Sequence, residues 1–364
     1  MIEKYYSGVI EQIYNRIGKE TRNIVMANYS NDFSIENLEV IRRYQSNEDN
    51  VFFAYSEFSY NTLVGAYEPF LDIICNMHRR FIGGSFDDFQ KECGVYYLHR
   101  QVLNSYYETG ECFREETVLL NEVAYEQRRM TMAIADMLKR LSEVRPLMIV
   151  INRFQMASKS SIETIKYLID NPCANIGIVL GVNAIVKGAD STVEVWDRIV
   201  ESLEDRSAIY YIGSAGPLKN NIKTTNDDEL YITMNFEQSI QEASNIMEFL
   251  DFEQARRGCR IIEHKLKFED AWIDEKSLRR FYMVYARTSV LLGEMSKAIE
   301  LTNEYKALIP ENDSEHYLSL YYFMKGTCYM YQGKLEKAGN SAKSAYDYAV
   351  LAEDDTLIFK AELL

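Results

Sequence analysis

The sequence predicts an α/β domain built on a five-stranded parallel sheet, followed by an all-α array of helical repeats. Three observations carry this. Short apolar runs lacking polar alternation alternate with helical patterns through the first two-thirds of the chain, as strands buried on both faces should. The final third reads as helix apart from residues 230–234. Within that third, small residues recur at a fixed spacing, which marks repeats.

The elements follow in order. Residues 1–18 place Ile2, Tyr5, Tyr6, Val9, Ile10, Ile13 and Ile17 at helical spacing. Residues 23–27 (NIVMA) suit a buried strand, and 35–44 a helix with Ser34 as N-cap. A second strand is expected at 51–55 (VFFAY), then a helix over 67–81 with Pro69 in its first turn. Residues 86–113 read as mostly helical with a turn near Gly110, and 115–144 as one long helix. Pro146 opens the strongest buried-strand signal, 146–151. A helix at 160–170, a strand at 176–180, a helix at 193–203 and a strand at 208–212 complete the domain. The Gly-, Pro-, Lys-, Asn-, Thr- and Asp-bearing stretch 213–229 is the expected boundary. The division predicted is 1–215, a linker at 216–232, and a helical domain at 233–364.

Composition narrows the function. The chain has 364 residues, 47% apolar and 26% charged, with 5 prolines, which suits a helix-rich globular protein rather than a disordered one. Formal charge is −15. Such a surface repels duplex nucleic acid and anionic membranes, whose affinity comes from Lys and Arg. The six cysteines stand singly, with no CxxC spacing; reduced, buried thiols are expected, and with them a cytoplasmic location. No signal-peptide core or spanning run is visible.

In the last third, Gly293 and Ala298 recur as Gly333 and Ala338, 40 residues later, and residues 251–255 look like an earlier, degraded copy. Glycine permits the sharp turn and alanine lets two helices approach. With Pro310, these offsets resemble the turn glycine, small second-helix residue and terminal proline of TPR-like repeats.

The stretch Arg145-Pro-Leu-Met-Ile-Val-Ile-Asn-Arg-Phe-Gln-Met-Ala157, with the amphipathic helix after it, resembles the ATPase module of signal-transduction ATPases with numerous domains, such as large LuxR-type regulators. The likeness covers roughly residues 23–212. It implies a P-loop NTPase-like three-layer sandwich, AAA-like, and the departures decide what the resemblance implies for function. Where the family has a Gly-rich loop ending Gly-Lys-Ser/Thr, this chain has Asn28, Tyr29, Ser30, Asn31, Asp32, Phe33 and Ser34. Glycine there frees backbone amides to wrap phosphate, and Lys neutralises its charge. Phe33 falls at the glycine before Lys, Ser34 at Lys and Ile35 at the hydroxyl. Asn152 and Arg153 replace the aspartates that would hold Mg²⁺ and orient water. Asn183 sits near the usual polar sensor position. The implied protein is a pseudo-ATPase: no catalytic residues, no cofactor, no metal, and a vestigial pocket filled by Tyr29 and Phe33 or closed.

Other chemistry is thin. His78, His99, His264 and His316 lack metal-ligand spacing, and His78 and His99 read as helix-surface residues. No G-x-S-x-G motif occurs. Acidic pairs such as Asp87-Asp88 and Glu353-Asp354-Asp355 read as solvated helix-end charges. Many of the 27 tyrosines crowd the repeats, where they fill space between helices and can serve contacts. In TPR-like arrays the first helix of each pair lines the concave face. That rule selects Arg280, Met283, Arg287 and Leu291, then Leu320, Phe323, Thr327, Met330 and Tyr331, an apolar surface with two arginines suited to a protein or peptide bearing an acidic group. The expected function is a non-enzymatic regulator or scaffold working through protein–protein contact in signal transduction. A nucleotide- or small-ligand-responsive regulator, or a piece of a longer transcription regulator, stands as the alternative. The partner and oligomeric state are left open.

Overall fold

The computed structural model describes residues 2–29, 38–46, 50–59, 63–112, 122–183, 186–187, 192–213, 215, 223–224, 235–268, 273–312 and 314–364. The chain divides into two compact units: residues 1–110 with 127–232, and residues 111–126 with 233–364.

The first unit holds five parallel strands, β1 (Ile24–Tyr29), β2 (Phe52–Glu57), β3 (Leu147–Asn152), β4 (Ile176–Asn183) and, after the two-residue β5 (Val186–Lys187), β6 (Ile209–Ile212). Their order is β2-β3-β4-β1-β6. A separate two-residue pairing joins β5 to β7 (Lys223–Thr224). Every residue of β3 and β4 is buried, which explains their uninterrupted apolar sequence. Around the sheet run α1 (Ile2–Arg16), α2 (Glu39–Ser46), α3 (Phe70–Met77) with a π-helical turn at His78–Ile82, α4 (Phe86–Glu92), α5 (Tyr97–Thr109), α6 (Val123–Val144), α7 (Lys159–Asp170) and α8 (Val193–Glu204).

Two glycines in β4 locate α1. A Cβ on Gly177 would come within 2.9 Å of Ile17, and one on Gly181 would collide with the Tyr6 hydroxyl. Both residues sit on one face, and their missing side chains form the channel in which α1 lies. Tyr6, Val9, Ile10 and Ile13 of α1, with Val40 and Ile41 of α2, build a core there on Val25, Ala27, Tyr29, Met148, Val150 and Val179.

Most expected elements appear with shifted ends. The helix expected at 35–44 is Glu39–Ser46; Ser34 and residues 35–37 lie outside the described residues. Pro69 sits at the N-cap of α3 rather than within its first turn. Gly110 caps α5 in the left-handed conformation (φ 75°). Ser158 caps α7 by accepting the Ser161 amide. Residues 113–121, 230–234 and most of 213–229 lie outside the described residues.

The second unit carries α9 (Phe236–Glu248), α10 (Phe252–Phe268), α11 (Glu275–Leu291), α12 (Met295–Ala307), α13 (Glu315–Tyr331), α14 (Leu335–Leu351) and α15 (Asp355–Leu363). Helices α11, α13 and α15 begin 40 residues apart. One turn joins α9 to α10, α11 to α12, α13 to α14 and α14 to α15. Its left-handed residue is Leu250, Gly293, Gly333 and Glu353 respectively. Each time that residue's amide bonds the carbonyl three back, and the next amide bonds the one five back. These are Schellman caps, which satisfy the last carbonyls of the ending helix. Leu250 thus stands where the next two copies have glycine, and Glu353 takes that place in the last. Ala255, Ala298 and Ala338 follow five residues after the turn and are buried, as close helix approach requires.

Candidate functional site

The carboxyl ends of the strands are where an open α/β sheet offers a ligand crevice. Parallel register lines up Glu57 with Asn152 and Tyr29 with Asn183. The Tyr29 hydroxyl donates to Asn152 Oδ1 at 2.6 Å, both residues being fully buried. Tyr6 packs edge-on against Tyr29, ring centroids 6.3 Å apart. Its phenol is pushed well above its usual pKa, mainly by burial and next by Tyr29. A Cβ on Gly181 would lie 2.8 Å from Asn152 Oδ1, so this part of the edge is filled by protein. The pair expected to hold Mg²⁺ in the family is occupied otherwise. Asn152 takes the tyrosine bond, and Arg153 pairs with Glu57 at 3.1 Å. Arg153 is left-handed (φ 54°) at the entry to the 3-10 turn Phe154–Met156, and Nη1 also donates to the Phe58 carbonyl at 3.4 Å. Glu57 accepts a bond from Tyr55. Gln155 Oε1 accepts the Asn183 amide at 3.3 Å. The edge is a neutral hydrogen-bonded cluster beside a self-cancelling ion pair, chemistry that orders a core rather than gathers cation charge.

Of the remaining residues assigned to this pocket, Asn28 is fully buried, and Ser30, Asn31, Asp32, Phe33 and Ser34 lie outside the described residues. Glu57 and Tyr6 were not foreseen here. Only the parallel register and the α1 channel bring them in, and neither is visible as a local motif.

In the second unit, a cavity of about 140 Å³ is lined by α9–α11, α13 and α15. Six of the eight residues assigned to partner contact line it: Met283, Arg287, Leu320, Phe323, Thr327 and Tyr331. Leu291, on the same predicted face, does too. Arg280 is not in the lining; it donates to Gln241. Met330 is half-buried and also outside the lining, although it lies one heptad from Phe323 on the same helix face. Sequence reasoning omitted Met247, Glu248, Leu250 and Phe252 from the degraded first hairpin, and Lys360 from α15.

The charges here are specific. Arg287 Nη1 bonds Glu248 Oε1 at 2.9 Å, with the glutamate side chain 8% exposed and the arginine 34%. Thr327 Oγ1 bonds the Phe323 carbonyl at 2.9 Å, leaving its methyl as the natural contribution to an apolar wall. A cavity of this size is comparable to the ~150 Å³ engineered cavity that accepts benzene, enough for one large apolar side chain. Arg287 and Lys360 against Glu248 leave one net positive charge among the lining side chains.

The histidines correct the sequence reading. His78 and His99 are fully buried, not on helix surfaces. His78 lies against Phe86, Phe89 and Tyr107, with Nδ1 3.1 Å from the Tyr107 hydroxyl. His78 opens the π-helical turn, and Phe86 and Phe89 of α4 with Tyr107 of α5 cover its ring. Asp87 also does more than cap a helix: it binds Lys91, Asn104 and Arg100, and Lys91 foremost holds its carboxyl below the usual range. Cys75, Cys112, Cys259 and Cys328 are buried free thiols, while Cys93 and Cys173 are partly exposed. Burial pushes the Cys75 and Cys328 thiols to about 11. Among the described residues no group of three or more His, Cys, Asp or Glu could hold a metal, and no helix is long and apolar enough to cross a membrane. No protein-family model matches the chain, and no curated protein matches it.

Proposed function

We propose that the protein is a non-catalytic regulator or scaffold: a P-loop NTPase-like domain without working nucleotide chemistry, joined to TPR-like repeats that bind a partner protein through the α9–α15 cavity. The observation that carries this reading is the convergence of Met283, Arg287, Leu320, Phe323, Thr327 and Tyr331 on one apolar cavity rimmed by Arg287 and Lys360. The partner segment it suits is a helix or peptide with one large apolar anchor and an acidic residue about one turn away. The anchor fills the cavity, and the carboxylate meets the guanidinium that Glu248 now engages. The Tyr29–Asn152 bond and the Arg153–Glu57 pair support the non-catalytic half of the reading, because both replace metal-binding carboxylate chemistry with interactions internal to the chain.

The test has two arms. Selection from a displayed library of helical peptides should enrich an acidic residue spaced one turn from an aromatic or large aliphatic one. Binding of the selected peptide should fall at least about tenfold in Phe323→Ala and in Arg287→Ala, as truncated anchor residues commonly do, and hold in Arg280→Ala. Equal affinity in all three variants would sink the reading. In the second arm, thermal unfolding with millimolar ATP, ADP or GTP and Mg²⁺ should show no shift. A Mg-dependent rise of several degrees would overturn the non-catalytic half, since ligand binding to the native state must raise its stability.

A further inference from the structure

The opposite edge of the same sheet carries a different feature. At the amino ends of β1 and β6 lies a cavity of about 220 Å³, lined by Arg16, Arg22 and Arg206 together with Glu20, Thr21 and Ser207 among others. It is far along the strands from Tyr29 and Asn152, which close the carboxyl edge.

Three arginines line this cavity from three separate places: the last turn of α1, the approach to β1, and the turn before β6. Like charges repel, so three arginines lining one cavity carry a cost that a nearby counter-charge relieves. Compensation within the chain is slight. Arg16 faces Glu20 at 3.6 Å, and that carboxylate is 54% exposed, so the pair is weak. Arg206 spends one donor on the Ile169 carbonyl at 2.5 Å, which orients the guanidinium without neutralising it. Arg22 is exposed, and no hydrogen bond or ion pair among the described residues engages it. The hydroxyls of Thr21 and Ser207 are likewise unengaged among the described residues.

The backbone fixes where Ser207 stands. Ser207 is left-handed (φ 51°) although it is not glycine. It is the left-handed residue of a Schellman cap that ends α8, the same cap that closes the helices of the second unit. The turn is pinned by Ser207 and Ala208 amides bonded to Glu204 and Leu203 carbonyls, which sets Ser207 beside Arg206 on the cavity wall.

We infer that this cavity binds a small organic phosphate. Guanidinium forks match phosphate oxygens, and a phosphate monoester presents three oxygens in three directions, as three arginines from three elements require. A carboxylate presents two oxygens in one plane and would engage fewer of them. The polar wall of Thr21, Ser207 and Asn23 suits a hydroxylated carbon skeleton.

The test is isothermal titration of the full chain with inorganic phosphate, glycerol 3-phosphate and succinate at matched ionic strength. Wild type should bind both phosphates, the ester more tightly, and succinate more weakly than either. Arg22→Ala should weaken phosphate at least about tenfold, the loss of one charge-assisted contact, with Arg22→Lys intermediate. Arg22 has no hydrogen-bond or ion-pair partner among the described residues, so this variant should keep its fold, and an unchanged thermal midpoint without ligand checks that. Absence of phosphate binding by wild type, or equal affinity in Arg22→Ala, would overturn the inference. Succinate binding as tightly as phosphate would overturn the phosphoryl assignment. None of these outcomes bears on the α9–α15 cavity, so the two proposals stand or fall separately.

Discussion

Gly181 shows how much one absent side chain does. Its hydrogen leaves the space that the Tyr6 hydroxyl and Asn152 Oδ1 occupy. Gly181→Ala should therefore destabilise the protein by about 1–3 kcal/mol, the usual range for overpacking. Combining it with Tyr6→Phe should recover part of that loss, because the colliding oxygen is gone. Urea midpoints of the two single variants and the double variant give the coupling; strictly additive effects would refute this account of the channel. His78 makes a pH-dependent contribution. Burial first, then Arg79, holds its pKa below the ordinary value, so the fold favours the neutral ring. Its stabilising share is complete above the unfolded-state pKa of about 6.5 and is lost as pH falls through the lower folded-state value. The stability gap between wild type and His78→Gln should narrow between about pH 7.5 and pH 5. A gap constant over that range would count against a buried neutral histidine.

The helical turn is the element that repeats most faithfully in this chain. The same two-bond cap closes at Leu250, Gly293, Gly333 and Glu353, yet glycine occupies only the middle two. A Cβ on Gly293 would meet nothing within 4 Å, so Gly293→Ala isolates the backbone cost of a left-handed residue, about 1–2 kcal/mol. At exposed Glu353 the reverse substitution, Glu353→Gly, should stabilise by about 0.5 kcal/mol, since the relief is partly offset by the freer unfolded chain. Chemical denaturation at constant m-value checks both; a destabilised Glu353→Gly would contradict the cap geometry. This element also explains the miss at Leu250. Glycine is the turn's visible mark, and a leucine accepted there for its buried side chain, 3% exposed, erases that mark while keeping the turn.

For the whole molecule, an excess of acidic residues coexists with a local gathering of arginines at one sheet edge. Net charge is a sum and carries no map, which is why a total of −15 did not reveal that cavity. Sequence alone determined the alternation of strands and helices, the parallel sheet, the helical remainder, its 40-residue period and most of the face that lines the α9–α15 cavity. Those properties are written locally, in apolar runs, in helical spacing and in small residues at turns. Tertiary structure alone decided that Glu57 lies beside Asn152 and pairs with Arg153, and that α1 brings Tyr6 to Gly181. It also decided that α15 brings Lys360 to the cavity, that His78 and His99 face inward, and that Arg16, Arg22 and Arg206 line one cavity. Each of those depends on which strands are neighbours and on where a helix lands. Neither leaves a local trace, because residues brought together by the fold are set by contacts across the chain and not by spacing along it.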